Sequence, residues 1–300
     1  RWKEGYYTVQ GHKVPEGYTA EQITLSEEAL TRAVERTLIE KFQLGLFENP
    51  YRNPEEAVKI VGNPEDWTHA QQVHRQSVVL LKNDGILPLT EEKVSGKKVY
   101  ARCFNKTEEN AQKATEELKK QLQAETSLTL TENPEEADLA LLFVSPSSGE
   151  YFNATPGYLE LDICDGKEVC DVDEEGRPAK TTHLETTLSG ARELAEIAEA
   201  VHKNKGKVVT NINFTLAWMV GNAEPYADAL LAGFDTYPSA VLDVIFGRFA
   251  PVGKMPMTLP KDDSVIAVNA EGVCISPNDV PGYDKDKYMP ESMKDEKWYW

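Results

Sequence analysis

The segment QSVVLLKNDGILPL, from Gln76 to Leu89, governs how the rest of the chain is interpreted. Its four consecutive apolar residues, Val78 to Leu81, are followed by the turn-forming residues Lys82 to Gly85, and an apolar segment resumes at once at Ile86. We interpret Val78 to Leu81 as the end of a helix that buries all of its sides. A buried helix end followed by a short apolar connector predicts a junction between two packed bodies. An ordinary helix end in one large core is the alternative.

Upstream of this segment the sequence predicts helices. Ser26 is the expected N-cap of the first, because Glu27 and Glu28 follow in its first turn. Apolar residues then recur at every fourth position, at Leu30, Val34, Leu38, Phe42 and Leu46. Asn63 before Pro64 predicts the start of a helix that runs on to Leu81. Residues 1–25 show no period and are expected to form an irregular surface segment.

Downstream of Lys97 predicted strands and helices alternate. The strands are expected at Lys98–Cys103, Ser127–Leu130, Asp138–Val144, Val208–Ile212 and Asp228–Phe234, and helices are expected to begin at Thr107, Ser189 and Ala240. This order implies right-handed crossovers and a mainly parallel sheet sandwiched by helices, an α/β domain over residues 94–260. Residues 145–185 form an acidic stretch after the carboxyl end of a buried strand, where open parallel sheets bind ligands.

Composition narrows the classes of function. The 300 residues are 40% hydrophobic and 27% charged, as in soluble globular proteins, and no apolar run approaches the length of a membrane span. With 50 acidic and 32 basic residues the net charge is −18, which argues against nucleic acid as a partner. No CxxC pair is present, so zinc is disfavoured, and we expect no metal and no cofactor. Neutral or cationic small molecules, sugars among them, remain open.

The cysteines and sequons bear on where the protein is located. Cys164 and Cys170 are close enough to close a small loop, and we expect a disulfide between them if the protein is secreted; two free thiols of a cytosolic protein are the alternative. N-glycosylation sequons begin at Asn105, Asn153 and Asn213, where about two would occur by chance, so a secreted or extracellular glycoprotein is favoured. The chain begins without methionine or a signal peptide, which we interpret as processing or truncation.

Four segments in the same order resemble glycoside hydrolase family 3, which contains many β-glucosidases. They are EKFQLGLFENPYRNPEEA from Glu40, VVLLKNDGILPL from Val78, the helix, strand and GFDT turn of residues 189–236, and GRFAPVGKMPMTLP from Gly247. The resemblance implies a TIM-like barrel joined to a six-stranded α/β sandwich. Residues 1–62 would be the last part of the barrel, 63–93 a linker helix and connector, 94–260 the sandwich, and 261–300 a C-terminal tail.

The resemblance also implies a chemistry. A retaining β-glycosidase needs one carboxylate as nucleophile and a second carboxyl as acid and base, about 5 Å apart. The family's nucleophile is an aspartate on the barrel, upstream of anything in this sequence. The second domain usually supplies the acid/base from a loop after a buried strand, and Glu150 in SPSSGEYFNATPGYLEL (145–161) is the nearest match. Its neighbours Tyr151 and Phe152 would stack on a sugar and raise the pKa of Glu150 by burial.

Other interpretations stay open at this point. Glu150 belongs to a stretch with many acids, most of which are solubilising surface charges, and Glu185 is the second candidate for the acid/base. The expected partners are a carbohydrate and a barrel domain on the same or a separate polypeptide. The alternative for the whole chain is a non-catalytic sugar-binding or interaction module derived from the same domain. The sugar, the linkage and the oligomeric state are not determined by the sequence.

Overall fold

The computed structural model describes residues 26–148, 160–172, 178–257 and 259. Glu150, Tyr151, Phe152 and Asn153 lie outside the described residues, as do the segments 1–25 and 261–300. The chain divides into two compact units, residues 1–67 and 68–300. In the described part no helix is long and apolar enough to cross a membrane.

Helices make up the described part of the first unit. They are α1 (Glu27–Gln43), α2 (Pro54–Ile60) and the first turn of α3 (Pro64–Ser77). The predicted N-caps are confirmed: Ser26 Oγ accepts from Ala29 N at 3.1 Å, and Asn63 Oδ1 accepts from Asp66 N at 2.9 Å. The apolar stripe predicted from Leu30 to Leu46 is exposed at four of its five positions. These are Val34, Leu38 and Phe42 in α1 and Leu46 just after it.

A six-stranded sheet forms the centre of the second unit, within the residues that the structure describes. Its strands are β1 (Val79–Asn83), β2 (Lys98–Asn105), β3 (Thr129–Thr131), β4 (Leu139–Ser145), β7 (Lys207–Asn213) and β8 (Ala229–Gly233). They lie in the order β1-β8-β7-β4-β2-β3, with β1 antiparallel to β8 and the other neighbours parallel. A separate antiparallel hairpin consists of β5 (Lys167–Val172) and β6 (Pro178–Glu185).

Helices cover both faces of this sheet, as the sequence predicts. One face is covered by α6 (Glu193–Lys203), through Leu194, Ile197, Ala198 and Val201. The other is covered by α4 (Glu91–Val94), α5 (Glu108–Glu125) and α7 (Pro238–Ile245). Strand β4 is buried along six of its seven residues, which is why its sequence LALLFVS is apolar without alternation. The predicted α/β class with a mainly parallel, helix-covered sheet is confirmed.

The helix predicted to run through Val78 to Leu81 is wrong. Helix α3 ends at Ser77, and Val79–Asn83 is the edge strand β1. Val79 and Leu81 contribute to the core on one face of the sheet, and Val78 and Leu80 to the core on the other. The apolar run is unbroken because both faces of the strand are covered, and a short run of this kind looks the same as a buried helix segment.

Two further expectations about local structure need correction. The predicted loop 145–185 contains the hairpin β5–β6. Ser189 does not cap a helix: α6 begins at Glu193 after a turn, and the Ser189 N–H donates to the Asn105 carbonyl oxygen at 2.9 Å. This bond ties the chain entering α6 to the end of β2.

Candidate functional site at the carboxyl edge of the sheet

Four parallel strands end side by side at one edge of the sheet. Their last residues are Asn105 in β2, Ser145 in β4, Asn213 in β7 and Gly233 in β8. Parallel strands bring their carboxyl ends to the same edge, which is the usual position of ligand sites in open α/β sheets. The loops that follow these strands therefore define the candidate site.

A cavity of about 430 Å³ lies at this edge. It is lined by Asn105, Ser145, Pro146, Ser147, Ser148, Asn213, Thr215 and Leu216. Ser148 is the last described residue before the segment that carries Glu150, Tyr151 and Phe152. The candidate acid/base is therefore two residues along the chain from a residue that lines the cavity.

Both ends of the segment 149–159 are attached to the same residue, Thr187. On the entering side, Ser147 N donates to the Thr187 carbonyl oxygen at 2.9 Å. On the returning side, Thr187 Oγ1 donates to the Asp162 carbonyl oxygen at 2.7 Å and accepts from Cys164 N at 3.0 Å. Thr187 is fully buried. The loop thus leaves and re-enters the domain at fixed points beside the carboxyl edge.

A partly buried ionic cluster lies where the chain returns from that loop. Glu160 is only 3% exposed, and its Oε1 lies 3.2 Å from Lys167 Nζ. Lys167 Nζ also lies 2.9 Å from Asp162 Oδ2, and Asn222 Nδ2 donates to Asp162 Oδ1 at 3.0 Å. Partial burial alone would lower the pKa of the Lys167 ammonium, but the hydrogen bonds and charges of Asp162 and Glu160 outweigh it and raise that pKa. Lys167 therefore remains a cation that two carboxylates share.

Glu185, the second candidate for the acid/base, is the last residue of β6 and is largely buried. Its Oε2 lies 3.5 Å from His183 Nε2. Its backbone pairs with Lys167 at the base of the hairpin. The carboxyl is thus present near the loop, with a histidine as its neighbour.

The predicted disulfide between Cys164 and Cys170 is not formed, because Cys164 is a buried free cysteine. Its thiol donates to the Glu185 carbonyl oxygen at an Sγ–O distance of 3.6 Å. Burial raises the pKa of this thiol, partly offset by hydrogen bonds from Thr187. The backbone accounts for this: Cys170 pairs with Thr182 inside the hairpin, whereas Cys164 contacts Glu185 and Thr187 at the hairpin's base, about 10 Å away along the extended strand.

The Asn213 side chain is held by a single residue, Asp235. Asn213 Nδ2 donates to Asp235 Oδ1 at 2.8 Å, and Asn213 Oδ1 accepts from Asp235 N at 2.7 Å. Asp235 has φ of 50°, a left-handed conformation that aspartate tolerates better than most residues. Two residues before Asn213 on the same face of β7, the buried Oδ1 of Asn211 has no hydrogen-bond partner within the described residues. Leaving such an acceptor unpaired costs about 1–3 kcal/mol.

The sequence interpretation missed two groups of functional candidates. The first, Glu160 with Asp162 and Lys167, has a signal in the alternation of ELDI from Glu160, which places both acids on one face of an extended segment. The second, Asn213 with Asp235, has its signal in the position of each residue directly after a predicted buried strand. Among the described residues no cluster of histidine, cysteine and acidic side chains could hold a metal ion.

Comparison with known proteins agrees with this α/β architecture. The family model described as "Glycosyl hydrolase family 3 C-terminal domain" matches residues 78–295. A β-glucosidase C from Emericella nidulans is 28% identical over 254 residues, which are 83% of this chain and 34% of that protein. A periplasmic β-glucosidase/β-xylosidase from Dickeya chrysanthemi is 25% identical over 250 residues, covering 81% of this chain and 31% of that protein.

A solved β-glucosidase from Erythrobacter marinus shares the fold. It is 19% identical, with a TM-score of 0.52 over 79% of this chain and 36% of that one. These findings define a mainly parallel α/β domain. The chain belongs to glycoside hydrolase family 3, as its C-terminal domain. It spans about a third of the length of the curated relatives that it matches.

Proposed function

We propose that this chain is the second domain of a retaining β-glycosidase that hydrolyses terminal β-D-glycosides, with β-glucosides as its substrates. The observation that carries the proposal is the family match over residues 78–295, which includes the whole carboxyl edge and the loop after Ser148. The names of the relatives from Emericella nidulans and Dickeya chrysanthemi support the choice of a β-glucoside.

In this proposal Glu150 is the general acid and base. It protonates the leaving-group oxygen while a second carboxylate attacks the anomeric carbon, and it then removes a proton from the water that releases the sugar. The fixed attachment points at Ser147 and Asp162 support this role, because a loop anchored at both ends can return its carboxyl to one position. Tyr151 and Phe152 would contact the sugar ring.

The nucleophile belongs to a barrel domain that this sequence does not include, on the same or a separate polypeptide. Two facts support that part of the proposal: the chain covers about a third of its relatives, and α1 presents an exposed apolar stripe. We also place the protein outside the cytoplasm, as a glycoprotein. The periplasmic relative and the sequons at Asn105, Asn153 and Asn213 support that location.

The leaving group of the substrate provides the test of Glu150. In the complete polypeptide, Glu150→Gln should lower kcat/KM for cellobiose about 10³-fold, because its sugar leaving group needs a proton. Hydrolysis of 2,4-dinitrophenyl β-D-glucoside, whose leaving group needs little protonation, should fall less than about tenfold. Steady-state kinetics on both substrates give the comparison.

Two further variants make the test decisive. Glu199→Gln removes an exposed carboxyl from α6 and should leave both rates unchanged. Glu185→Gln examines the second candidate in the same way. Equal losses on the two substrates in Glu150→Gln would remove Glu150 from the acid/base role, and a selective loss in Glu185→Gln would transfer the role to Glu185. A complete polypeptide that hydrolyses no β-glycoside would favour the non-catalytic sugar-binding module.

A further inference from the structure

The ionic cluster of Glu160, Asp162 and Lys167 has no part in the proposed chemistry. Lys167 Nζ lies 3.2 Å from Glu160 Oε1 and 2.9 Å from Asp162 Oδ2. The Glu160 side chain is 2% exposed, whereas that of Lys167 is 28% exposed. A carboxylate removed from water to this extent costs free energy unless a partner compensates its charge. Lys167 supplies that compensation for Glu160.

Residues 160–162 form the stem through which the chain returns from the loop after β4. Within the stem, Asp162 N donates to Glu160 Oε1 at 2.8 Å. From the loop after β7, Asn222 Nδ2 donates to Asp162 Oδ1 at 3.0 Å. From the opposite direction the ammonium of Lys167, the first residue of β5, contacts both acids. The stem is therefore held between the hairpin and the loop after β7.

The charge of Lys167 decides whether the two acids can stay where they are. Both carboxylates contact the same ammonium nitrogen, so they lie close to each other. Like charges at such a separation repel, and they repel more strongly where water is partly excluded. Without the ammonium, the Glu160 and Asp162 side chains would move apart or take up water, and the stem would move with them.

We propose that Lys167 is a positioning residue for the general acid and base: it fixes the stem and thereby the position to which the loop returns Glu150. This inference rests on the proposed function and on Glu150 as the acid/base. The attachment on the entering side, at Ser147, is a hydrogen bond between backbone atoms. Lys167 therefore holds the loop by a side chain that can be replaced without changing the carboxyl itself.

Two substrates distinguish a displaced acid from a merely less stable protein. In the complete polypeptide, Lys167→Met should lower kcat/KM for cellobiose about 30-fold, because a displaced carboxyl protonates the sugar leaving group poorly. The value for 2,4-dinitrophenyl β-D-glucoside should fall less than about threefold, since its leaving group needs little protonation. Lys167→Arg keeps the positive charge and should hold both values within about threefold of wild type. Asp162→Asn removes one charge of the cluster with little change of shape and should show the same selectivity with a smaller loss. It tests the inference if Lys167→Met does not fold.

Lys207→Met is the matched control. Lys207 Nζ also contacts a partly buried carboxylate, Asp228 Oδ1, at 2.6 Å, but at the amino edge of the sheet. This variant loses a comparable ion pair far from the stem. It should change the ratio of the two kcat/KM values by less than about twofold.

Hydrogen exchange followed by mass spectrometry gives a readout that does not depend on hydrolysis. The N–H of Asp162 is bonded to Glu160 Oε1, so its exchange reports on the order of the stem. In Lys167→Met, a peptide spanning residues 160–166 should exchange about tenfold faster than in wild type. Lys167→Arg and Lys207→Met should leave that rate unchanged.

The outcomes separate this inference from the proposed function. Unchanged exchange in Lys167→Met would show that the lysine does not fix the stem, and it overturns the inference whatever the activity. Faster exchange with equal losses on the two substrates also overturns it, because the stem would then move without displacing the acid, and the proposed function stands. Faster exchange in a complete polypeptide that hydrolyses no β-glycoside supports Lys167 as the residue that fixes the stem, and the proposed function fails.

Discussion

Asp228 precedes β8 at the amino edge of the sheet and connects three groups from neighbouring segments. Its Oδ1 lies 2.6 Å from Lys207 Nζ, and its Oδ2 lies 2.8 Å from His202 Nε2 and accepts from Val208 N at 2.9 Å. Burial by itself would raise the pKa of Asp228, but the hydrogen bonds from Lys207, His202 and Val208 outweigh it and lower that pKa. The ionised carboxylate therefore stabilises the junction of α6, β7 and β8.

The pH dependence of this stabilisation has a definite sign. The pKa of Asp228 is lower in the folded than in the unfolded state. Its contribution to the free energy of unfolding is therefore complete above the unfolded pKa of about 3.9. That contribution is lost as the pH falls through the lower folded pKa. Asp228→Asn should lower the free energy of unfolding by about 2 kcal/mol at pH 7, and the difference from wild type should shrink below about pH 4. Urea unfolding at pH 7 and pH 3 measures both values. Glu132→Gln removes the exposed partner of Lys119 and is the control. It should lower the free energy of unfolding by less than about 0.5 kcal/mol at either pH. A cost for Asp228→Asn that is the same at both pH values would contradict this account.

At the scale of elements, β1 shows how tertiary context decides between helix and strand. Val79–Asn83 pairs antiparallel with β8 through a register shift between Leu80 and Lys82. The strand therefore extends the parallel sheet by one antiparallel edge, and its residues contribute to the cores on both faces. In the sequence the same residues continue a helical period from α3, so the local pattern does not distinguish the two structures.

Most of the sheet could be predicted because each parallel strand is a short apolar run between a helix and a turn, as in DLALLFV before Ser145. The side-chain pairs that build the candidate site could not be predicted in this way. Asn213 and Asp235 are 22 residues apart, and they meet only because β7 and β8 are adjacent in the sheet. The hairpin β5–β6 was missed because its sequence is polar and has no clear alternation.

Close contact between two segments at β1 leads to a prediction about Gly253. A Cβ at residue 253 would lie 2.7 Å from the Val78 carbonyl oxygen and 3.0 Å from that of Gln76. Both are backbone atoms, one at the end of α3 and one just before β1, so they can move only by shifting the backbone between the two elements. Gly253→Ala should therefore lower the free energy of unfolding by about 1–3 kcal/mol. Gly233→Ala is the control, because its Cβ would meet nothing closer than 3.5 Å and should be neutral or slightly stabilising. Thermal or urea unfolding compares them, and equal stability of the two variants would contradict the close contact at Gly253.

At the scale of the whole molecule, the first unit is notable for its exposed apolar surface. In and just after α1 the exposed fractions are 47% for Val34, 37% for Leu38, 57% for Phe42 and 39% for Leu46. In and just after α2, Val58, Ile60 and Val61 are more exposed still. Soluble monomers seldom leave contiguous apolar surface of this kind uncovered. The match also covers only about a third of each relative, so this surface supports the proposed barrel domain as the part that covers it.

If the nucleophile lies on the proposed barrel domain, residues 1–300 alone should hydrolyse no aryl β-glucoside, because they would then supply only one carboxyl of the required pair. Adding the separately expressed barrel should restore hydrolysis if its surface covers α1.

In that assembly Phe42→Glu should weaken association of the chain with the barrel at least tenfold, because it places a charge on the covered stripe. Arg36→Glu, on the opposite side of the same helix, should change this affinity less than about threefold. Turnover by the pure 300-residue chain that disappears when one of its own carboxylates is replaced would show that it contains a complete active site. Equal effects of Phe42→Glu and Arg36→Glu would show that the stripe is not the covered surface.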